Sequence, residues 1–433
     1  MQKKLRRFLS ILRNFGLKSA LKETLKYFIN KIYFYLSPGA SSKHLGTTEA
    51  TYVDKISSSL RGFSRQWFYL STKHNIFFSN ESIHSNNVLI IADLNISQCT
   101  LYRVDGLMDF LSSYGVNSKK TYFLDYERIR KNLNAASTVI FYRVPMRDEL
   151  LEIIYECRRA NIKMIFDIDD PVFSFPIYSN YENLRYVSTE DSKNILEGCP
   201  KYFAMMDMCD FIITSTPDLQ KIAKTYFPKK DILLRRNYIS KKRIASNLNT
   251  KTTNDDKKLI SICSGSIGHE DDFMLIKEVL ENLLEKDKNL ELILLGKFKK
   301  ETLGQAINKR IKEHIPFQNY DDYINCLSET DLSIIPIQKS EFNECKSVVR
   351  LLDCFNAGVP TIVSDIGDFR NTHAVAPYFS IVKDDEWFDS INKLLYSDEL
   401  CEYYRKNSKE FLSSISSGKD NYISDKSLIE KIL

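Results

Sequence analysis

Short apolar runs and amphipathic stretches alternate along most of this 433-residue chain. In the first half, apolar runs bounded by polar residues predict buried strands at 87–94, 138–144, 162–168 and 210–216. Apolar residues at helical spacing predict helices at 101–115, 148–161, 202–209 and 217–227. Because buried strands that alternate with helices form parallel sheets covered on both faces, this half of the chain predicts a doubly wound α/β domain.

The same alternation restarts after a polar stretch, residues 240–258, which we interpret as a linker between two domains. The second series predicts strands near 258–266, 290–296, 331–337 and 359–364. It also predicts helices at 271–287, 320–330 and 347–358, with one or two more over 385–416. The domain boundaries that follow are an N-terminal Rossmann-like domain over 46–239, a second over 259–395, and C-terminal helices over 396–433. Ligands of such sheets lie beyond the carboxyl ends of the strands, so we expect the two domains to face each other across a cleft.

The first 45 residues have a different pattern. Up to Leu36 they contain nine lysines and arginines against one acid, Glu23. Apolar residues recur at helical spacing, with Lys18, Lys22 and Lys26 beside them. A basic amphipathic helix of this kind is typical of segments that bind an anionic membrane surface, which is our prediction for 1–45. The alternative is a helix that packs on its own domain and leaves its lysines solvated.

Composition narrows the class of protein. Apolar residues make up 43% of the chain and charged residues 27%, as in ordinary globular proteins, and the net charge of +5 is too small to indicate a nucleic-acid partner. Nine dispersed cysteines without a C-x-x-C pair predict reduced thiols in a cytosolic protein and argue against a zinc site. No run approaches the roughly 20 apolar residues needed to cross a bilayer. We therefore expect a cytoplasmic protein that is peripheral on the inner face of the plasma membrane.

The stretch "MIFDIDDPVF", 164–173, ends a predicted strand with three carboxylates, Asp167, Asp169 and Asp170. Two carboxylates in a D-x-D pattern can hold magnesium. Alternation along a strand predicts that Asp167 and Asp169 share one face while Asp170 points elsewhere. Arg103 and Arg143 also lie at or near predicted strand ends and could contact phosphate on an acceptor, although solvated surface arginines are an equal alternative.

The segment 343–369, "NECKSVVRLLDCFNAGVPTIVSDIGDF", passes from a polar loop into a helix and then a strand. Lys346 and Ser347 stand where the helix begins, so the lysine and the free backbone N–H groups could bind an anion. Asp353, about two turns later, could accept hydrogen bonds from paired sugar hydroxyls. The alternative is a helix capped by Ser347 with Asp353 on its solvated face.

The segment 261–280, "SICSGSIGHEDDFMLIKEVL", joins a strand to a helix through small residues. Gly265 and Ser266 would allow a ligand close to the backbone. His269 could stabilise a phosphate or a leaving group, or make only a structural hydrogen bond.

Several of these motifs together resemble a known family. "SGSIGHEDDF", "LELILLGKF" and "NECKSVVRLLDCFNAGVPTIVSDIGDF" occur in the order seen in the second half of retaining, glycogen-synthase-like GT-B glycosyltransferases, the glycosyl transferases group one family. The third is similar to the K-S-x-x-K-x-x-E-x-x-x-x-G-x-P pattern of its surface-polysaccharide members. "QCTLYRVDGLMDFLSSYGV", "VIFYRV", "MIFDIDDPVF" and "CDFIITSTPDL" are similar to the first half of such members. The resemblance spans about residues 86–400.

The resemblance implies a nucleotide-diphosphate-sugar donor bound by the second domain through Gly265, Ser266, Lys297, Lys346, Ser347 and Asp353. Gly265 and Ser266 match the pyrophosphate loop, and Asp353 matches the ribose-binding glutamate. Many members carry another glutamate eight residues earlier, where this chain has Cys345. Because the donor motifs lie on the second domain, the aspartates of the first are interpreted as acceptor-side residues rather than a metal site.

The expected function is a metal-independent hexosyltransferase without a cofactor, which moves a sugar to a lipid-linked or growing glycan acceptor in surface-polysaccharide synthesis. O-antigen, lipopolysaccharide and capsule are candidate products. The expected catalytic residues are His269, Asp169 and Asp170. Two alternatives stay open: a non-catalytic GT-B-like partner of another glycosyltransferase, for which Cys345 argues, and a sugar-nucleotide epimerase.

Overall fold

The computed structural model describes residues 87–245, 257–263, 270–296, 298, 300–315 and 319–433. The predicted membrane segment 1–45 lies outside these residues. So do four predicted site residues, Gly265, Ser266, His269 and Lys297.

The first domain is built on a parallel six-stranded sheet with strand order β2-β1-β3-β4-β5-β6. Its strands are β1 Asn87–Ala92, β2 Asn117–Tyr122, β3 Thr138–Tyr142, β4 Lys163–Ile168, β5 Phe211–Thr214 and β6 Asp231–Leu234. The helices around it are α1 Ser97–Cys99, α2 Gly106–Ser113, α3 Tyr126–Leu133, α4 Asp148–Arg159, α5 Phe175–Ser179, α6 Thr189–Met208 and α7 Pro217–Tyr226. Central strands such as "TVIFY" are buried along their whole length because helices cover both faces of the sheet.

The second domain repeats this plan with strand order β12-β11-β10-β7-β8-β9. Its strands are β7 Lys258–Cys263, β8 Leu290–Leu295, β9 Ile311–Ile315, β10 Leu332–Ile335, β11 Thr361–Ser364 and β12 Ser380–Val382. Its helices are α8 Glu270–Met274, α9 Lys277–Lys286, α10 Lys300–Leu303, α11 Gln305–Asn308, α12 Tyr320–Ser328, α13 Glu341–Glu344, α14 Val349–Ala357, α15 Gly367–His373, α16 Trp387–Leu395, α17 Asp398–Ile415 and α18 Leu428–Ile432. The prediction of two doubly wound α/β domains is therefore confirmed.

Three predicted helices differ from the observed ones. The helix predicted at 202–209 is only the last part of α6, which begins at Thr189. The helix predicted at 101–115 begins earlier, at α1, and passes through a π-helical stretch, Thr100–Asp105, before α2. The helix predicted at 271–287 is divided into α8 and α9. The π-helical stretch matters for the site because it carries Tyr102 and Arg103, which face the interior of the protein.

The C-terminal residues return to the first domain. Ser424 forms a bridge with Arg235, the Asp425 carboxylate accepts from the Leu234 N–H at 2.7 Å, and the Thr138 hydroxyl donates to the Ile432 carbonyl at 2.7 Å. One apolar cluster accordingly continues through the first domain, the second domain and these last residues. Among the described residues, each helix is too short or too polar to cross a bilayer.

Candidate active site

A cluster of charged side chains lies at the carboxyl ends of β3 and β4 in the first domain. Arg143 directly follows β3, and its backbone has a φ of 51°, a left-handed conformation that non-glycine residues rarely adopt. Its Nη1 lies 3.3 Å from an oxygen of Asp169 and 3.3 Å from an oxygen of Asp170. The Tyr142 hydroxyl donates to the other oxygen of Asp169 at 2.8 Å. The structure therefore brings Arg143, Asp169 and Asp170 together, as their strand-end positions predict.

Asp167 belongs to a different network. Its carboxylate pairs with Arg103 and Arg235, and all three side chains are fully buried. The predicted alternation does not extend past Asp167 because β4 ends at Ile168, so Asp169 and Asp170 both reach Arg143 instead of pointing apart. This corrects the expectation that Asp167 and Asp169 share one face.

Lys346 of the second domain completes the cluster. Its Nζ lies 3.4 Å from an oxygen of Asp170 and 4.9 Å from the centre of the Phe342 ring. Phe342 itself packs against Tyr178 and Tyr181 of the first domain, at 5.1 and 4.1 Å between ring centres. Burial disfavours the ammonium, but the charge of Asp170 outweighs it, so the pKa of Lys346 is raised and the side chain is cationic.

Ser347 is also in contact with the first domain. The Asn237 side chain donates from Nδ2 to the Ser347 hydroxyl at 2.9 Å and accepts at Oδ1 from Arg103 at 3.2 Å. Arg103 donates to both Asn237 and Asp167. It is only 1% exposed and therefore has no open face towards solvent. Its assignment as an acceptor-side residue stays a prediction.

Asp353 lies inside the protein, 5% exposed, instead of on a solvated helix face. Its Oδ1 accepts hydrogen bonds from the hydroxyl of Tyr102, in the first domain, and from the hydroxyl of Tyr320, in the second, at 3.2 Å for the latter. Burial raises the pKa of this carboxyl to about 7, although both hydroxyls favour its charged form.

Arg350 is a candidate that the sequence reasoning missed. Its Nη1 donates to the carbonyl of Cys263 at 3.1 Å, directly before residues 264–269. The signal was present, since Arg350 stands at the second basic position of the K-S-x-x-K pattern. Arg350 lies in the first turn of α14 and so adds a second cation close to Lys346, which precedes this helix.

Cys345 stands where the resemblance predicts an acid, and the neighbouring acid, Glu344, is bonded elsewhere. Cys345 is fully buried, and its carbonyl accepts from the hydroxyl of Thr216 at 3.0 Å. The carboxylate of Glu344 accepts from the backbone N–H of Gly367 at 2.7 Å and from Arg370 at 2.6 Å. Glu344 therefore holds the first turn of α15, and these bonds do not direct its carboxylate towards Lys346.

Comparison with known proteins finds a family match that spans most of the second domain. Residues 246–411 match the family described as Glycosyl transferases group 1. HepE of Anabaena, solved in complex with UDP and glucose, has 10% sequence identity and a TM-score of 0.50, with 76% of this chain and 95% of that chain covered. Sucrose-phosphate synthase of Thermosynechococcus elongatus has 11% identity and a TM-score of 0.49, with 76% and 94% covered. WaaG, a glycosyltransferase involved in lipopolysaccharide biosynthesis, has 11% identity and a TM-score of 0.48, with 78% and 99% covered. No sequence among the curated proteins matches the chain.

Proposed function

Because the chain has the GT-B fold and residues 246–411 match the glycosyl transferases group 1 family, we propose that it is a sugar transferase with a nucleotide-diphosphate-sugar donor. The acceptor is a lipid-linked or growing glycan. The observation that supports this best is the meeting of Lys346 from the second domain with Arg143, Asp169 and Asp170 from the first. A donor-side cation and acceptor-side carboxylates at facing strand ends suit group transfer between two bound substrates.

The donor side of the proposal rests on positive charge. As the bond to the sugar breaks, negative charge accumulates on the departing diphosphate, and preorganised cations stabilise it. Lys346 supplies one such cation, Arg350 a second, and the N-terminus of α14 adds partial positive charge. We propose that these groups act in place of a metal ion. Gly265, Ser266, Lys297, Ser347 and Asp353 are the further donor residues of the proposal, with His269 beside the phosphates.

The acceptor side rests on two carboxylates held by one arginine. Asp169 and Asp170 would orient the acceptor hydroxyl, and the left-handed backbone at Arg143 fixes the guanidinium between them. In this proposal the product is a hexose-containing surface polysaccharide such as O-antigen, lipopolysaccharide or capsule. The enzyme acts on the cytoplasmic face of the plasma membrane, to which the basic segment 1–45 attaches it.

The test is the change Lys346→Ala. We expect transfer to fall by about 100-fold, since the loss of one group that stabilises a developing anion costs rates of this order. Turnover is measured with a panel of sugar nucleotides, beginning with UDP-sugars, and folding is checked by thermal denaturation. Lys339→Ala, an exposed lysine in the same stretch, is the matched control and should leave turnover unchanged. Equal turnover in the two variants would contradict the proposed role of Lys346.

The second candidate function is a non-catalytic partner of another glycosyltransferase. Its support is the buried Cys345 at the position where related enzymes carry an acid. Titration calorimetry with UDP and GDP separates the two functions, because a partner subunit without a donor site should bind neither nucleotide.

A further inference from the structure

The proposed function assigns three groups of the second domain to donor binding. Each of these groups contacts a side chain of the first domain. Lys346 pairs with Asp170 at 3.4 Å, and Ser347 accepts from Asn237 at 2.9 Å. Asp353 accepts from the hydroxyl of Tyr102. These contacts come from three separate parts of the first domain: the end of β4, the stretch after β6 and the π-helical stretch before α2.

Two of these partners reproduce the chemistry of the donor. The carboxylate of Asp170 offers the Lys346 ammonium an anionic oxygen, as a diphosphate would. The phenol of Tyr102 offers the Asp353 carboxylate a hydroxyl donor, as a ribose would. Asn237 in turn engages the hydroxyl of Ser347 beside them.

The same contacts close the donor groups to solvent. Asp353 is 5% exposed, so a ribose cannot reach its carboxylate while Tyr102 lies against it. Further bonds across the domains hold this arrangement: Asp271 accepts from Tyr186 at 2.7 Å and pairs with Arg185, and Arg236 pairs with Asp368. These bonds hold the two domains together around the donor groups.

We propose that the first domain occupies the donor site with its own side chains, and that a nucleoside diphosphate binds only when Asp170, Asn237 and Tyr102 withdraw. This inference rests on the proposed function, because it takes Lys346, Ser347 and Asp353 as the donor-binding groups. The apparent affinity for nucleotide is then weak, because only the fraction of molecules in which the three contacts are open can bind it. Any change that weakens them without touching the donor groups should tighten nucleotide binding.

The decisive variant is Tyr102→Phe, which removes one hydroxyl and no charge. We expect calorimetric titration to show UDP or GDP binding about tenfold more tightly to this variant than to the unchanged protein, since loss of a hydrogen bond to a buried carboxylate favours the open form by about that factor. Tyr142→Phe is the matched control: it removes a buried hydroxyl bound to Asp169 inside the first domain, and nucleotide affinity should not change. Thermal denaturation of both variants checks that they fold.

A second pair of variants tests the contact with Lys346. Asp170→Asn should also tighten UDP binding, whereas Asp169→Asn should not, because Asp170 is the carboxylate that pairs with Lys346. In stopped-flow measurements the rate of UDP binding should level off with concentration in the unchanged protein, because opening precedes binding. Tyr102→Phe should raise that plateau.

The outcomes separate the inference from the function on which it rests. If UDP or GDP binds the unchanged protein and Tyr102→Phe with equal affinity, or binds the variant more weakly, the inference is overturned while the donor site stands. If neither nucleotide binds the unchanged protein or any variant, the proposed donor site fails and the inference fails with it.

Discussion

The buried carboxyl of Asp353 shows how one residue can link ionisation to the state of the site. Inside the protein it has lost most of its hydration, and two tyrosine hydroxyls replace only part of it. This loss of hydration raises the pKa of the carboxyl to about 7. Its ionisation therefore affects both folding and the contact with Tyr102.

The stability of the protein should depend on the ionisation of Asp353. Burial raises the pKa of this carboxyl from 3.8 to about 7, so between these values the folded protein holds a proton that the unfolded chain has released. The free energy of unfolding that Asp353 contributes therefore falls as pH rises through this window. Chemical denaturation at about pH 5 and pH 7 measures it, and Asp353→Asn should lose less stability between the two than the unchanged protein. An identical loss in both proteins would show that Asp353 does not titrate in this range.

At the scale of single residues, sequence reasoning found part of the site. The strand-end positions of Arg143, Asp169 and Asp170 followed from the alternation of strands and helices, and the structure joins them. Arg103 has a similar position in sequence, yet it is buried against Asp167. The difference depends on a π-helical stretch and on partners far away in the chain, which no local pattern of residues indicates.

At the scale of elements, the loop that carries Lys346 depends on a close approach between two segments. Gly367, at the start of α15, has a φ of 45°, and a Cβ built on it would lie 2.3 Å from the carbonyl oxygen of Glu344. Its N–H donates to the carboxylate of the same residue. Only glycine allows this approach, which keeps α13 and the beginning of α15 together beside Lys346.

Gly367→Ala should therefore destabilise the protein by about 2 kcal/mol or more, because the new methyl group adds a steric clash to an unfavourable backbone conformation. Gly115→Ala is the matched control, since Gly115 has a φ of 73° but nothing within 4 Å of its Cβ position. That variant should lose only about 1 kcal/mol. Denaturation of the two variants in urea measures both values, and equal losses would show that the contact with Glu344 adds nothing.

Elements also show which parts of the fold the sequence could predict. The eight strands predicted from apolar runs are the interior strands of the two sheets. The four that were missed, β2, β6, β9 and β12, are the edge strands. An edge strand has one paired side and often one solvated face, as in the polar "NSKKTY" of β2, so it lacks the continuous apolar run of an interior strand.

At the scale of the whole molecule, the two α/β domains are not independent units. The C-terminal residues bond to β6 and to the beginning of β3, and one apolar cluster passes between the domains. Any motion that opens the donor site must therefore rearrange contacts at one side while the C-terminal residues hold the other. This arrangement suits rotation about a retained connection better than complete separation.

The proposed position of this molecule on a membrane depends on its basic first 45 residues. The full chain should sediment with vesicles that contain phosphatidylglycerol and not with vesicles of phosphatidylcholine alone, and added salt should weaken the binding by screening. Replacing Lys18, Lys22 and Lys26 by glutamine should lower partitioning on the order of 100-fold, because each lysine near an anionic surface contributes about 1 kcal/mol.

The matched control for this change has the same net charge as the Lys18, Lys22 and Lys26 variant. Three exposed lysines of α16 and α17 are replaced by glutamine instead: Lys393, Lys406 and Lys409. This removes an equal charge from another surface. This variant should bind the anionic vesicles as the unchanged protein does, if binding comes from the basic segment and not from overall charge. Equal losses in the two triple variants would contradict a local membrane site and indicate a diffuse attraction of the whole positive protein, whose net charge is +5.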